Sequence, residues 1–505
     1  MSADKRRTIP NPQRATGGLL MSDAPLMLGV SGLRGIVGQS LTPDLALRYA
    51  ASVATWIAEK VGRPPFVLVG RDGRAGGEAL RNAALAGLQA AGARVCDLGV
   101  VMTPTVGVAS DMLSADAAII LTASHNPQEW NGLKVLIRPR SWTNAGDELV
   151  DACAPSAALA QQIVERFHEG RIAWASPENI PDTSVEHEAA EAHCHRVLEA
   201  CQSLLSVDNY WDAIARSRGT GRVVLDSVNC SSAAADALFF EDTVCHAVQL
   251  HGEATGLFPH PPEPTLENLG APGGLCDAVR GLRADMGFAQ DPDADRLAIV
   301  DEAGRYIGEE YTLVLAAEAV LSSLGTRAEG QIVCANLSTS RMIDDVAARH
   351  GARVLRTPVG EANVVEAMKQ HNAILGGEGN GGVIWPAVTY VRDSLSAMAL
   401  VLALRARTGK TISQLVASMP AYAIEKRKAP LARKDDALPT IRRIAKHFEN
   451  QRVDLQDGVR VDFSDRWVHV RASNTEPILR LIAEAPDQPS ARSLLDEVAG
   501  VATRS

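Results

Sequence analysis

The chain of 505 residues lacks any run of about 18 apolar residues, so no membrane-spanning helix is expected. It also lacks a basic excess. Its 60 acidic and 50 basic residues give a net charge of −10, which argues against a general nucleic-acid binder but leaves room for a local basic pocket. No apolar stretch near the N-terminus is long enough for a signal peptide. Residues 1–26, with Lys5, Arg6, Arg7, Pro10 and Pro12, read as a flexible tail, and a cytoplasmic protein is expected. The eight cysteines include no C-x-x-C pair and read as reduced, mostly buried thiols. His193, Cys194 and His195 are adjacent on a charged, helical stretch, so their side chains diverge and do not make a metal site.

With 46% apolar and 22% charged residues, the chain has the balance of a globular protein. Its length exceeds one hydrophobic core and points to three or four domains. A strand–turn–helix cadence recurs. Residues 41–61 form an amphipathic helix with Thr42 as N-cap and Pro43 at the first position, and the strand 66–69 follows. The strands 222–226 and 331–336 each lead into a polar turn and a helix. The last part differs. Residues 426–436 are charged and read as a linker, followed by a helix over 438–448 and strands over 459–463, 467–471 and 478–485.

Four constellations carry chemistry. Thr122-Ala123-Ser124-His125-Asn126-Pro127 follows the apolar run 117–121, which exposes the Ser124 hydroxyl at a strand end, with His125 and Lys134 available to handle protons. Taken alone, this is also an ordinary turn. Asp291, Asp293 and Asp295 alternate, and three hard carboxylates can converge on one Mg²⁺. A calcium loop is disfavoured, because Arg296 stands where the tight turn needs glycine and 297–300 reads as a strand. Residues 376–382 hold five glycines, with Glu378 and Asn380 as the only side chains, both suited to sugar hydroxyls. Around Arg471, Ser473, Asn474 and Thr475 offer an anion nest with Arg471 or Arg480 as its charged partner.

In this order, over residues 28–505, the four motifs resemble those of the α-D-phosphohexomutase superfamily. The resemblance implies an α/β fold: three related α/β domains with mixed sheets and a smaller C-terminal α+β domain around a central cleft. The domains would span 27–175, 176–306, 307–421 and 422–505. It implies an isomerase that moves phosphate between the 1- and 6-positions of a hexose phosphate through phospho-Ser124 and a hexose 1,6-bisphosphate. Mg²⁺ would be held by Ser124, Asp291, Asp293 and Asp295. Arg34, His125 and Lys134 would act at the transferring group, and Arg296, Glu378 and Asn380 at the sugar. Arg471, Ser473, Asn474, Thr475 and Arg480 would hold the other phosphate.

The sugar loop departs from the commoner Glu-x-Ser-Gly-His pattern, with Asn380 for Ser and Gly382 for His. That variant resembles members acting on glucosamine phosphate, with mannose or glucose phosphate as the alternative. The partner expected is a small hexose phosphate, with no nucleic acid or membrane, and the protein a monomer or homodimer. A non-catalytic sugar-phosphate binder would lack Ser124 or the aspartates, and all are present. A serine hydrolase would need a Ser/His/acid order that the sequence does not show.

Overall fold

The structure, a computed structural model, describes residues 24–30, 32–142, 151–216, 221–241, 245–473 and 477–503. Most of the expected N-terminal tail lies outside these residues, as do Asn474 and Thr475.

Among the described residues, twenty strands form four sheets. The first contains β1 (Leu26–Gly29), β2 (Gly32–Ile36), β3 (Phe66–Arg71), β4 (Arg94–Val100), β5 (Ala117–Leu121), β6 (Trp130–Ile137) and β7 (Thr183–Val185), in the order β1-β2-β6-β5-β3-β4-β7. The second contains β8 (Arg222–Asp226), β9 (His246–Leu250), β10 (Met286–Gln290) and β11 (Leu297–Val300), in the order β11-β10-β8-β9. The third contains β12 (Ile332–Asn336), β13 (Arg353–Thr357), β14 (Leu375–Glu378) and β15 (Gly382–Ile384), in the order β13-β12-β14-β15. The boundary expected between 175 and 176 lies ahead of a strand that pairs with the first sheet, because β7 runs parallel to β4.

The cadence read from the sequence has a topological basis. In each of the first three sheets, three parallel strands are followed by an antiparallel fourth, in one spatial order: β6-β5-β3-β4, β11-β10-β8-β9 and β15-β14-β12-β13. The fully buried runs of β5 and β10 are what a strand covered on both faces requires. The helix Pro43–Val61 begins at Thr42 with Pro43 in its first turn and ends on left-handed Gly62. The first three units share apolar cores: Met102 and Val108 join the core of the second and third sheets, and Val364, Met368 and Ile384 join that of the first. All eight cysteines are buried thiols outside any disulfide.

The fourth sheet has its own core, with Ile444, Val459, Leu481 and Leu495. It contains β16 (Ala423–Pro430), β17 (Arg452–Asp454), β18 (Val459–Asp462), β19 (Trp467–Ala472) and β20 (Ile478–Ala485), all antiparallel in the order β16-β20-β19-β18-β17. Here the expected linker over 426–436 is corrected. Residues through Pro430 belong to β16, which pairs with β20 along its whole length. Its Lys and Arg residues protect an edge strand from unwanted pairing, so the charge that suggested a linker is an edge-strand device.

Candidate active site

The three sequence motifs of the first three units occupy one topological position, the connection from the third strand to the antiparallel fourth. Ser124 lies between β5 and β6, Asp291–Asp295 between β10 and β11, and Asn380 between β14 and β15, with Glu378 ending β14. Open α/β sheets present ligands beyond the carboxyl ends of their strands, and three such ends meet here.

Ser124 is held in a left-handed backbone conformation at φ 49°, and its amide donates to the Thr122 hydroxyl at 2.8 Å. Arg74, fully buried beyond the end of β3, organises the loop. It pairs with Asp72 at 2.7 Å and donates to the carbonyls of Ser124, Asn126 and Trp130. Gly132 is required beneath the loop, because a Cβ there would meet the Leu33 carbonyl oxygen at 2.5 Å and the Thr122 carbonyl oxygen at 2.7 Å. The sequence-based expectation of an exposed hydroxyl is corrected: Ser124 is buried, and its hydroxyl donates to Asp291 Oδ2 at 2.7 Å across 167 residues of sequence. His125 Nδ1 lies 3.4 Å from Ser124 Oγ. Burial, followed by the Arg296 charge, lowers the His125 ring to about 3, so it is neutral near pH 7.

Asp291, Asp293 and Asp295 are buried, with one oxygen from each lying within 4.8 Å of the others. Burial and mutual repulsion push Asp291 well above the usual carboxylate range and raise Asp293. Burial would also raise Asp295, but Arg392, Lys134 and Arg296 outweigh it and hold its carboxyl below that range. Asp293 Oδ1 and Asp295 Oδ1 are buried without a hydrogen bond. Such oxygens are costly unless a cation takes them up. An all-oxygen set with two unsatisfied carboxylate oxygens therefore fits a hard divalent ion such as Mg²⁺.

A charge network joins this trio to the glycine-rich loop at 376–382. Lys134, on β6, places Nζ 3.2 Å from Asp295 Oδ2 and 3.4 Å from Glu361 Oε2. Burial opposes its charge, yet Glu361, Asp295 and Asp293 raise the ammonium above its usual value, so Lys134 is protonated. Arg34, opposite Gly132 in the β2–β6 pair, shares a sheet face with Lys134. Its pKa is lowered chiefly by burial, against the pull of Asp293 and Asp295. Arg392 is the hub: it reaches Glu378 Oε2 at 2.9 Å, Asp295 Oδ2 at 2.5 Å and Glu361 Oε2 at 3.4 Å. Arg392 also explains the glycine where the commoner motif has histidine, because a Cβ on Gly382 would fall 2.4 Å from Arg392 Cδ. Asn380 Oδ1 accepts from the Gly382 amide at 3.3 Å. Arg296 lies at the rim, 3.7 Å from Glu263 Oε1 and 3.9 Å from Asp295 Oδ1.

The C-terminal unit reaches the same network. Glu378 Oε1 accepts from Asn336 at 2.8 Å and from the Gly360 amide at 3.1 Å. The adjacent Val359 amide donates to Asp457 Oδ2 at 3.1 Å, and Arg471 Nε lies 3.3 Å from that oxygen. His469, two residues before Arg471, bonds Ser338 at 2.9 Å and the Asp457 carbonyl at 2.7 Å. Arg471 and Arg480 face each other across β19 and β20, and Lys428 faces Arg480 across β16 and β20. Like charges in register destabilise a sheet unless an anion lies among them. Ser473 is buried beside them, while the expected partners Asn474 and Thr475 lie outside the described residues.

Arg74, Glu361, Arg392, Asp457 and His469 were not singled out from the sequence. Only Arg74 carried a signal there, a charged Asp-Gly-Arg turn just beyond a buried strand like those that hold the other motifs.

The chain matches all four domain families of phosphoglucomutase/phosphomannomutase: alpha/beta/alpha domain I over residues 25–141, domain II over 203–304, domain III over 308–422 and the C-terminal domain over 427–501. Similar relatives include a phosphoglucomutase/phosphomannomutase of Thermococcus kodakarensis, 33% identical over 93% of this chain and 97% of that one. Another is a probable phosphoglucosamine mutase of Methanopyrus kandleri, 33% identical over 94% and 97%. A crystal structure of a phosphoglucomutase/phosphomannomutase family protein from Burkholderia thailandensis superposes with a TM-score of 0.75 at 25% identity, covering 94% of this chain and 97% of that one. The chain belongs to the phosphoglucomutase/phosphomannomutase family. It is a phosphohexomutase, an isomerase acting as an intramolecular phosphotransferase.

Proposed function

We propose that the chain interconverts glucosamine 6-phosphate and glucosamine 1-phosphate through a phosphorylated Ser124 and a hexose 1,6-bisphosphate. The observation that carries the phosphoryl-transfer reading is the 2.7 Å contact between Ser124 Oγ and a buried aspartate trio with two unsatisfied oxygens. Asp291, Asp293 and Asp295, with phospho-Ser124, would hold Mg²⁺, which when bound supplies electrostatic stabilisation of the transferring group.

The chain's own residues handle positioning and protons. The sugar hydroxyl loses a proton as it bonds to phosphorus, and Ser124 Oγ gains one as its bond breaks. Environments that push two titratable groups apart assign donor and acceptor. Lys134 is the protonated member and His125 the neutral one. Arg34 supplies fixed positive charge at the transferring group. Glu378, Asn380 and Arg296 take the sugar. Arg471, Arg480 and Ser473, with Asn474 and Thr475, take the phosphate that does not react. The bisphosphate turns between these two ends, and its second phosphate then returns to Ser124. The same reading makes the chain a cytoplasmic phosphoprotein. Among the described residues no helix is long and apolar enough to cross a membrane.

Phosphomannomutase/phosphoglucomutase is the second reading, favoured by the function given to the Thermococcus relative. Coupled assays on glucosamine, glucose and mannose 1-phosphates, with Mg²⁺ and catalytic bisphosphate, separate the two. The glucosamine substrate is expected to show the highest kcat/KM. A preference of about tenfold for either other sugar, ~1.4 kcal/mol of transition-state binding, would overturn that choice.

A further inference from the structure

Among the described residues outside the aspartate trio, one cluster in the second unit brings metal-ligating atoms together. Asp226 ends β8, and His251 follows the parallel neighbour β9, so both lie at the carboxyl ends of adjacent parallel strands. His260 returns from the following loop. Asp226 Oδ1 lies 2.9 Å from His251 Nδ1, and Asp226 Oδ2 lies 2.9 Å from His260 Nε2. The two imidazole rings meet edge to face at 5.5 Å. Asp226 is buried, while the His251 and His260 side chains are 31% and 18% exposed, leaving an entry path and room for water as a further ligand.

The hydrogen bonding of His260 bears on what lies between these atoms. Its Nδ1 is 2.9 Å from the Pro261 carbonyl oxygen, which can only accept, so Nδ1 carries a proton. In a neutral ring the lone pair is then on Nε2 and points at a carboxylate oxygen. That contact needs either a second proton or a cation. A backbone carbonyl that fixes the outer nitrogen of a histidine is also the usual support of a metal-bound imidazole. Ligand atoms held about 2.0–2.2 Å from one ion stand roughly 3.4 Å apart in a tetrahedron, so opening the 2.9 Å contacts by about half an ångström admits the ion. Two imidazoles with one carboxylate suit Zn²⁺ and its transition-metal neighbours rather than Mg²⁺. The backbone here is locally strained: His251, Val228, Asn229 and Ala254 all have positive φ, at 51°, 45°, 55° and 52°. Such conformations persist only where surrounding bonds enforce them.

We propose that Asp226, His251 and His260 form a second metal site, selective for a transition ion of the zinc class and separate from the aspartate trio. The site pins the loop that runs from His251 to Glu263. That loop packs on the phosphoserine loop, with the Phe258 amide donating to Gln128 Oε1 at 2.8 Å and Gln128 Nε2 donating to the Gly256 carbonyl at 3.0 Å. At its end Glu263 lies 3.8 Å from His125 and 3.7 Å from Arg296. The ion is thus structural and supports one wall of the reaction centre without entering it.

Co²⁺ is the probe, added to the full-length protein in a large excess of Mg²⁺. The expected result is one bound equivalent with a visible d–d absorption band. His251→Ala and His260→Ala should each weaken binding by more than about 100-fold, beyond the loss seen when only an outer support of a metal ligand is removed. Asp293→Asn should leave the band in place. X-ray absorption of the wild-type cobalt protein, which needs no variant to fold, should show imidazole nitrogen around the metal. An all-oxygen environment, or no Co²⁺ retained against Mg²⁺, would overturn the proposal and leave a His–Asp–His hydrogen-bond bridge.

Discussion

Replacing Ser124 with Ala should lower hexose phosphate turnover by about 10³-fold or more, the scale set by losing a nucleophile from a site whose other groups act through it. The fold should survive. Among the described residues the hydroxyl contacts only Asp291 and, at 3.4 Å, His125, hydrogen bonds of net worth about 0.5–1.5 kcal/mol each, and the loop is organised by Arg74 through main-chain carbonyls that the substitution does not touch. Binding of Mg²⁺ and of hexose phosphate should persist, because the three aspartates and the Arg471 end are intact. Steady-state kinetics with a titration of each ligand checks this. Turnover within a few-fold of wild type would remove Ser124 from the mechanism.

Arg392→Leu should produce the second large effect. One guanidinium serves the buried Asp295 and Glu378 and the half-buried Glu361. Removing one partner of a buried ion pair typically costs about 3–5 kcal/mol, because the remaining charges stay buried and unpaired. Here the cost should fall on the second and third units, whose apolar core is shared. The chain should unfold at a clearly lower temperature. Turnover should fall about 10²-fold, since Arg392 sets Asp295 and Glu378 relative to each other and ångström-scale misplacement has that effect. Calorimetry and kinetics on the same preparation test both parts. Unchanged stability would mean that the carboxylates are paired in another way.

Much of this fold was legible because its strands read as short apolar runs that are almost wholly buried. The runs at 117–121, 222–226 and 297–300 begin and end where β5, β8 and β11 do, and the Ser124 and aspartate motifs sit in the turns beside the first and the last of them. The first hairpin was not legible. Leu26–Gly29 and Gly32–Ile36 are short and glycine-rich, so Arg34 entered on resemblance alone, although its strand pairs with the one carrying Lys134. The glycine-rich turn is the connection of a β-hairpin whose close packing on Arg392 excludes a side chain at Gly382. The charged stretch after residue 423 misled because an edge strand and a linker share a composition.

The site divides in the same way. Ser124, the aspartates and Glu378 sit in compact local motifs, and their convergence follows once three sheets repeat one strand order. Arg74, Arg392 and Glu361 carry as much of the geometry but resemble surface charges in sequence. Their importance comes from burial, which depends on partners tens to hundreds of residues away. One chain of contacts runs from Arg471 through Asp457, Val359, Gly360, Glu378, Arg392 and Asp295 towards Ser124. It spans the two ends between which, on the function proposed above, the bisphosphate turns.

The central claim is that Ser124 carries the phosphoryl group. Intact-mass analysis of the purified protein after incubation with glucose 1,6-bisphosphate and Mg²⁺ tests it most directly. The wild-type protein should gain ~80 Da, the mass of one phosphoryl group, with the group mapped to the peptide containing Ser124. Glucosamine 6-phosphate should then discharge it. An active enzyme that never gains this mass, or gains it on another residue, would contradict the account.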